Sequence, residues 1–159
     1  MGQARTIVRV VFEALNARDL TCARRWIDAA YHGTDTGQAA RIVGRDELEE
    51  VMRAYLRAFP DFQFRITEIL ERPHEAAVTW EASGTHRGTL LHLVPTQRRV
   101  TVTGIWIVQL EHAHIRSGRS TWDAAGLLAQ LGYSIRRLRD GVLEKSQGSS
   151  APKQDEQGA

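Results

Sequence analysis

A carboxylate lodged among apolar side chains can take a proton from carbon and give it back, so the first residues to weigh are acids beside apolar runs. Asp123 is one: it follows Trp122 at the end of a strand-like run and precedes the apolar stretch Ala124 to Leu131. The same place suits a helix N-cap, with the carboxylate accepting the N–H of Ala125 or Gly126. Asp123 fits both roles. His86 shares strand parity with Val78, Trp80, Ala82 and Gly84, and can either orient a carbonyl or sit satisfied in a core. Trp80 and Trp106 can stack on a flat ligand, although aromatics on strands also build cores. Arg119 shares parity with Ser117, Thr121 and Asp123; facing a cavity, it would keep that carboxylate ionised. Tyr55 and Phe59 face inward from a long helix, as substrate contacts or as ordinary core. His112 and His114 have chelating spacing but no third ligand, so no metal site is expected. No Ser/His/Asp order, P-loop or dinucleotide fingerprint is visible.

These side chains need a scaffold, and the chain is long enough to supply one. Its 159 residues fit one domain, expected over 1–145, and 42% apolar with 25% charged residues is an ordinary globular composition. A net charge of +2 gives little power to neutralise phosphates, so nucleic acid is not an expected partner. The single cysteine, Cys22, cannot form an internal disulfide, which fits a reducing, cytoplasmic setting. No run reaches the roughly 18 apolar residues of a membrane span, and no membrane partner is expected.

Periodicity then sets out the elements. Ile7, Val10, Val11, Ala14 and Leu15 mark a helix from about Thr6 to Asn16, and Thr21 can cap a second, short helix through Trp26 and Ile27. Tyr31 to Gly44, rich in glycine and polar residues, reads as loop. Leu48, Val51, Met52, Tyr55, Leu56 and Phe59 repeat at helical spacing until Pro60 ends the run. The period then turns to two from Phe62, and strands are expected at Ala76 to His86, Val100 to Leu110 and Ile115 to Trp122, the last two joined by a hairpin at Glu111 to His114. Asp123 to Leu131 gives a final short helix that Gly132 can terminate, and 146–159 reads as a disordered tail. Helices first and a curved antiparallel sheet afterwards make an α+β order.

Four blocks carry a resemblance: Ala58-Phe59-Pro60-Asp61; Gly84-Thr85-His86-Arg87-Gly88; Pro95-Thr96 with Arg98 to Gly104; and Trp122 to Leu128 ending in Gln130-Leu131-Gly132. In order and spacing they resemble the SnoaL-like polyketide cyclase and ester cyclase family over about residues 6 to 133. The resemblance implies the nuclear-transport-factor-2-like, cystatin-like fold: a cone-shaped curved sheet closed by N-terminal helices around an apolar cavity, in a homodimer.

It also implies chemistry. Members close a ring of a polyketide-like small molecule by intramolecular aldol condensation, with a carboxylate as acid/base and no cofactor or metal; others hydroxylate or only bind. Asp123 matches the carboxylate position, with His86 assisting. Tyr31 and His32 match a stretch at the cavity mouth, and Tyr55, Phe59, Trp80, Trp106, Arg119 and Trp122 complete the expected substrate contacts. An Arg with an Asp also resembles the limonene-epoxide-hydrolase branch, for which Asp35 is the available second acid. The chain departs from the family where Glu-His-Trp is usual and Ser117-Gly118-Arg119 stands, where Pro-Thr-Gly becomes Pro95-Thr96-Gln97, and where Asp-Gly in the last hairpin becomes His112-Ala113.

Overall fold

In the computed structural model, residues 2–37, 40–134 and 144–145 are described; the expected tail from 146 lies outside them. The chain opens with α1 (Gln3–Asn16) and α2 (Leu20–Arg25), followed by β1 (Ile27–Asp35) and β2 (Ala40–Val43). Next come α3 (Arg45–Ala58) and the strands β3 (Gln63–Arg72), β4 (Glu75–Thr85), β5 (Arg99–Glu111) and β6 (His114–Trp122). A short α4 (Ala124–Gln130) and a small ribbon, β7 (Tyr133–Ser134) with β8 (Glu144–Lys145), are the last elements among the described residues.

Six strands form one curved, unclosed sheet in the order β2-β1-β6-β5-β4-β3. Its strands pair antiparallel except β1 with β6, which run parallel. The expected α+β architecture is thus present, with two corrections. Within the segment from Tyr31 to Gly44, expected as loop, Tyr31 to Asp35 belong to β1 and Ala40–Val43 form β2. The cap of α2 is Asp19, not Thr21: its carboxylate accepts the Cys22 N–H at 2.8 Å.

The helices lie across the inner face of the sheet, where apolar residues of α1 meet alternate residues of the strands. Val8, Val78, Val108 and Ile115 are fully buried in that layer. Alternation explains why: on β5, Val100, Val102, Val108 and Leu110 point in while Thr101, Thr103 and Gln109 point out. Two polar clasps fix the helices to the sheet. Asn16, at the end of α1, exchanges two hydrogen bonds with the Phe64 backbone (2.7 and 2.9 Å), and Arg18 donates to the carbonyls of Pro60 and Phe62. Both hold the start of β3, and so the ring of Phe64, against the helices.

Candidate functional site

The space between helices and sheet holds two adjoining chambers. One, of about 100 Å³, lies under α1, α2 and α3; the other, of about 70 Å³, lies between the end of α3 and α4. Asp35, Met52, Phe64, Trp80 and Ser120 border both. The walls are otherwise mostly apolar.

Asp35 is the acid of this site. It ends β1 and is only 3% exposed. Its Oδ1 accepts from the Trp122 indole N–H at 2.9 Å and from the Gly37 backbone N–H at 2.8 Å, while Oδ2 accepts from the Tyr55 hydroxyl at 3.0 Å. The local sequence builds this arrangement. On β1, Tyr31 and Asp35 point in while His32 points out. Parallel pairing with β6 sets Asp35 opposite Ser120, two residues before Trp122. Gly37 is required by the turn, since a Cβ there would lie 2.0 Å from the Trp122 ring. The carboxylate has about four lone-pair positions, of which these three donors use three.

Tyr31 stands beside it, 2% exposed. Burial chiefly, with the nearby Asp35 charge adding to it and the Trp106 indole N–H opposing it, pushes its hydroxyl up to about 12. Tyr31 is therefore a neutral phenol near neutral pH and a hydrogen-bond donor. Its ring end lies over two glycines paired across β1 and β6: a Cβ on Gly33 or Gly118 would come within 2.5 Å or 2.4 Å of Tyr31 Oη. A Cβ on Gly118 would also lie 2.6 Å from Trp106 Nε1. The space over Gly118 is thus filled by the Tyr31 hydroxyl and the Trp106 indole nitrogen.

The other expected residues divide by place. Trp80 borders both chambers, Tyr31 and Trp106 the first, Tyr55, Phe59 and Trp122 the second. Asp123 lies outside both: it is exposed and caps α4, Oδ1 accepting the Gly126 N–H at 2.8 Å. Arg119 and His32 lie on the outer face of the sheet, in a groove with Ile107 and Gln109. The inward parity of β6 belongs to Gly118, Ser120 and Trp122, opposite to the parity that would bring Arg119 and Asp123 to a cavity. His86 is fully buried but borders neither chamber. Its ring packs on Phe59 at 5.2 Å, and Nδ1 accepts the Thr96 N–H at 3.2 Å. Burial holds its pKa below the ordinary value, with the Gly88 backbone partly offsetting this.

A curved sheet backed by helices over an apolar, carboxylate-bearing cavity defines the nuclear-transport-factor-2-like class, also called ketosteroid-isomerase-like. Residues 5–131 match the SnoaL-like polyketide cyclase family, and the chain belongs to it. No curated protein matches the chain. Among solved structures it is similar to IdmH from Streptomyces antibioticus, a candidate polyketide cyclase, with 22% identity and a TM-score of 0.73 over 82% of this chain and 99% of that one. It is also similar to TsrD from Streptomyces laurentii (19%, TM-score 0.74, 82% and 95%). A third is AclR from Streptomyces galilaeus, a candidate hydroxylase (20%, TM-score 0.72, 80% and 83%). At these identities the likeness shows the fold alone.

Proposed function

We propose that this chain catalyses proton transfer on a small polyketide-like carbonyl compound, as an aldol-type cyclase or isomerase, using its own side chains and no cofactor. The observation that carries this reading is the buried Asp35 on the wall of the apolar chambers, with one lone-pair position left after its three donors. Asp35 takes a proton from the carbon next to a carbonyl. The Tyr31 phenol donates to the carbonyl oxygen as it becomes an enolate, the kind of fixed donor worth most in a dry site. The enolate carbon attacks a second carbonyl of the same molecule, and the protonated Asp35 returns its proton to the new alkoxide. The base thereby moves from Asp123, the position matched by resemblance, to Asp35. Trp80 and Trp106 supply flat faces for the ring. A chamber of about 100 Å³ suits a single ring rather than a fused polycycle.

The homodimer is part of the same proposal. It is supported by the outer face of the sheet, where Ile105 (44% exposed) and Val43 (70% exposed) flank Ile107. Ile107→Glu should then yield a monomer by native mass spectrometry; a monomeric wild type at micromolar concentration removes this part.

The test of the chemistry uses a single-ring ketone. Deuterium exchange next to the carbonyl of cyclohexanone in D2O, followed by NMR, should be accelerated by the wild type. It should fall by about a hundredfold to ten-thousandfold in Asp35→Asn, the usual worth of a general base, and be unchanged in Asp123→Asn. Equal exchange with wild type and Asp35→Asn removes Asp35 from the mechanism. No acceleration by wild type, with the ketone still bound, makes the chain a carrier of such molecules.

A further inference from the structure

Arg45 opens α3 and lines the first chamber beside Ile27, Ile42 and Leu48. Its Nη1 donates to the Ile27 carbonyl at 3.2 Å, and its Nε is buried with no hydrogen-bond partner among the described residues. No carboxylate among the described residues lies within ion-pair distance of it. This is an expensive arrangement, because a buried donor left unmade forfeits its hydration, more so on a charged group.

The neighbouring charges do not supply the missing acceptor. Glu49, which also lines the chamber, is engaged by Arg24 at 2.8 Å and Arg53 at 2.6 Å, and its carboxyl is held below its ordinary value chiefly by the Arg24 hydrogen bond. Asp46 pairs with Arg24, and Glu47 accepts the Val43 N–H at 2.7 Å. The acids near the start of α3 are thus committed elsewhere, while Gly44 at the N-cap offers no side chain to the first turn. The positive end of the helix dipole and a half-buried guanidinium without an ion-pair partner among the described residues meet at the wall of one chamber.

We infer that the ligand of this chamber is an acid: a single-ring or pre-cyclic carbonyl compound bearing a carboxylate that seats on Arg45, with its reacting end toward Asp35 and Tyr31. The inference rests on the reading of the chamber as a ligand site and names its substrate class. A carboxylate oxygen brought against the Arg45 guanidinium makes a charge-assisted bond and supplies the counter-charge that no described carboxylate provides. It also explains how a chamber that already contains the Asp35 carboxylate can hold a second anion: the cation at Arg45 compensates the newcomer, and the three donors on Asp35 satisfy the resident. A neutral ligand of the same shape leaves Arg45 as it is.

The test compares benzoate with benzamide, which share shape and differ in charge. Binding to the full chain is read from quenching of tryptophan fluorescence, since Trp80 and Trp106 line the chamber. Wild type should bind benzoate at least about tenfold more tightly than benzamide, the worth of one hydrogen bond to a charged group. Arg45→Met should keep the benzamide affinity and lose the preference, and Arg45→Lys should keep part of it. Equal affinities in wild type, a preference that survives in Arg45→Met, or no binding of either probe overturns the inference. Thermal melting of each variant separates loss of the site from loss of the fold. Because binding is measured and not turnover, an Arg45-dependent preference for benzoate stands even if ketone exchange proves independent of Asp35.

Discussion

Two regions lie against opposite ends of α3, and they use polar groups in opposite ways. On one side, the blocks that made the family legible bind each other. Asp61 accepts from the N–H and hydroxyl of Thr85 at 2.7 and 2.9 Å. The Ala58 carbonyl accepts from both Arg87 and Gly88, Phe59 packs on His86, and the Gln130 side chain exchanges two bonds with the Thr101 backbone. On the other side, Tyr31, Asp35, Arg45 and Gly118 lie outside those blocks and border or shape the first chamber. The recognisable motifs here mostly tie one segment of the chain to another. The groups able to do chemistry are presented by what the motifs hold in place.

That contrast predicts opposite responses to substitution. Gly88 sits so close to the last turn of α3 that a Cβ would lie 2.1 Å from the Arg57 carbonyl oxygen, a backbone atom that cannot swing aside. Gly88→Ala should cost about 3 kcal/mol, the upper range for overpacking. For a chain of this size that lowers Tm by about 6–12 °C. Asp35→Asn in the chamber should leave Tm far closer to wild type while removing proton transfer. A thermally unperturbed Gly88→Ala would show that the lock region gives more easily than its geometry implies.

Gly118 tests the chamber in the same currency. Its missing side chain is replaced by the ends of Tyr31 and Trp106, so Gly118→Ala should lose about 1–3 kcal/mol by urea unfolding. Tyr31→Phe removes the hydroxyl that the new methyl meets, so in that background the penalty should shrink. The coupling in this double-mutant cycle should reach about 0.5 kcal/mol or more. Additive effects would mean that Gly118 is demanded by something other than the Tyr31 hydroxyl.

Acid and alkali should unfasten different regions. His86 has a folded pKa below its ordinary 6.5, so the unfolded chain binds the proton more readily. Its contribution is complete above about 6.5 and is lost as pH falls toward the folded value. Asp61 is held below the ordinary carboxylate value chiefly by the Thr85 N–H, so its contribution is present above about 3.9 and lost at still lower pH. Tyr31 runs the other way: raised from 10.0 to about 12, it contributes fully below pH 10.0 and loses that contribution as pH rises through about 12. Melting profiles should show His86→Asn flattening the limb just below neutrality and Tyr31→Phe flattening the alkaline one. An unchanged alkaline limb in Tyr31→Phe would place that loss elsewhere.

What the sequence disclosed follows the same division. The helix read from Leu48 to Phe59 and the strand read from Ala76 to His86 stand close to their observed bounds, because each repeats one period over many residues. β1 is hidden: Gly33 interrupts its strand signal, and its partner β6 lies over eighty residues away in a parallel pairing that no local pattern records. With β1 read as loop, Asp35 had no place in a cavity, although Tyr31, Gly33 and Asp35 already alternate as one face of a strand. The parity of β6 was readable but not its direction, and the wrong choice carried Arg119 and Asp123 inward. Once Trp122 donates its N–H to Asp35, the inward set is fixed as Gly118, Ser120 and Trp122.

The smallest effect concerns two turns where residues with side chains stand at positive φ. Gln97 has φ 60°, and in the hairpin between β5 and β6 His112 and Ala113 have φ 49° and 62°. All three lie in the left-handed region, where a side chain costs about 1–2 kcal/mol. Gln97 cannot relax out of it freely, because its N–H donates to the His86 carbonyl at 2.9 Å and so closes the turn beside the buried imidazole. The hairpin tip is likewise held, since a two-residue turn with both φ values positive matches the twist of its strands. Glycine at either place removes the strain but adds freedom to the unfolded chain, which returns part of the gain. Gln97→Gly and Ala113→Gly should therefore each stabilise by about 0.5–1 kcal/mol, or about 1–4 °C in Tm for a chain of this size. The two sites are in separate turns, so their effects should add. Gln97→Gly relieves strain in the turn that presents Thr96 to His86. Ala113→Gly, at a tip remote from that turn, should raise Tm without changing the acid limb. A fall in Tm on Gln97→Gly would mean that the glutamine side chain contributes more to the lock than its backbone costs.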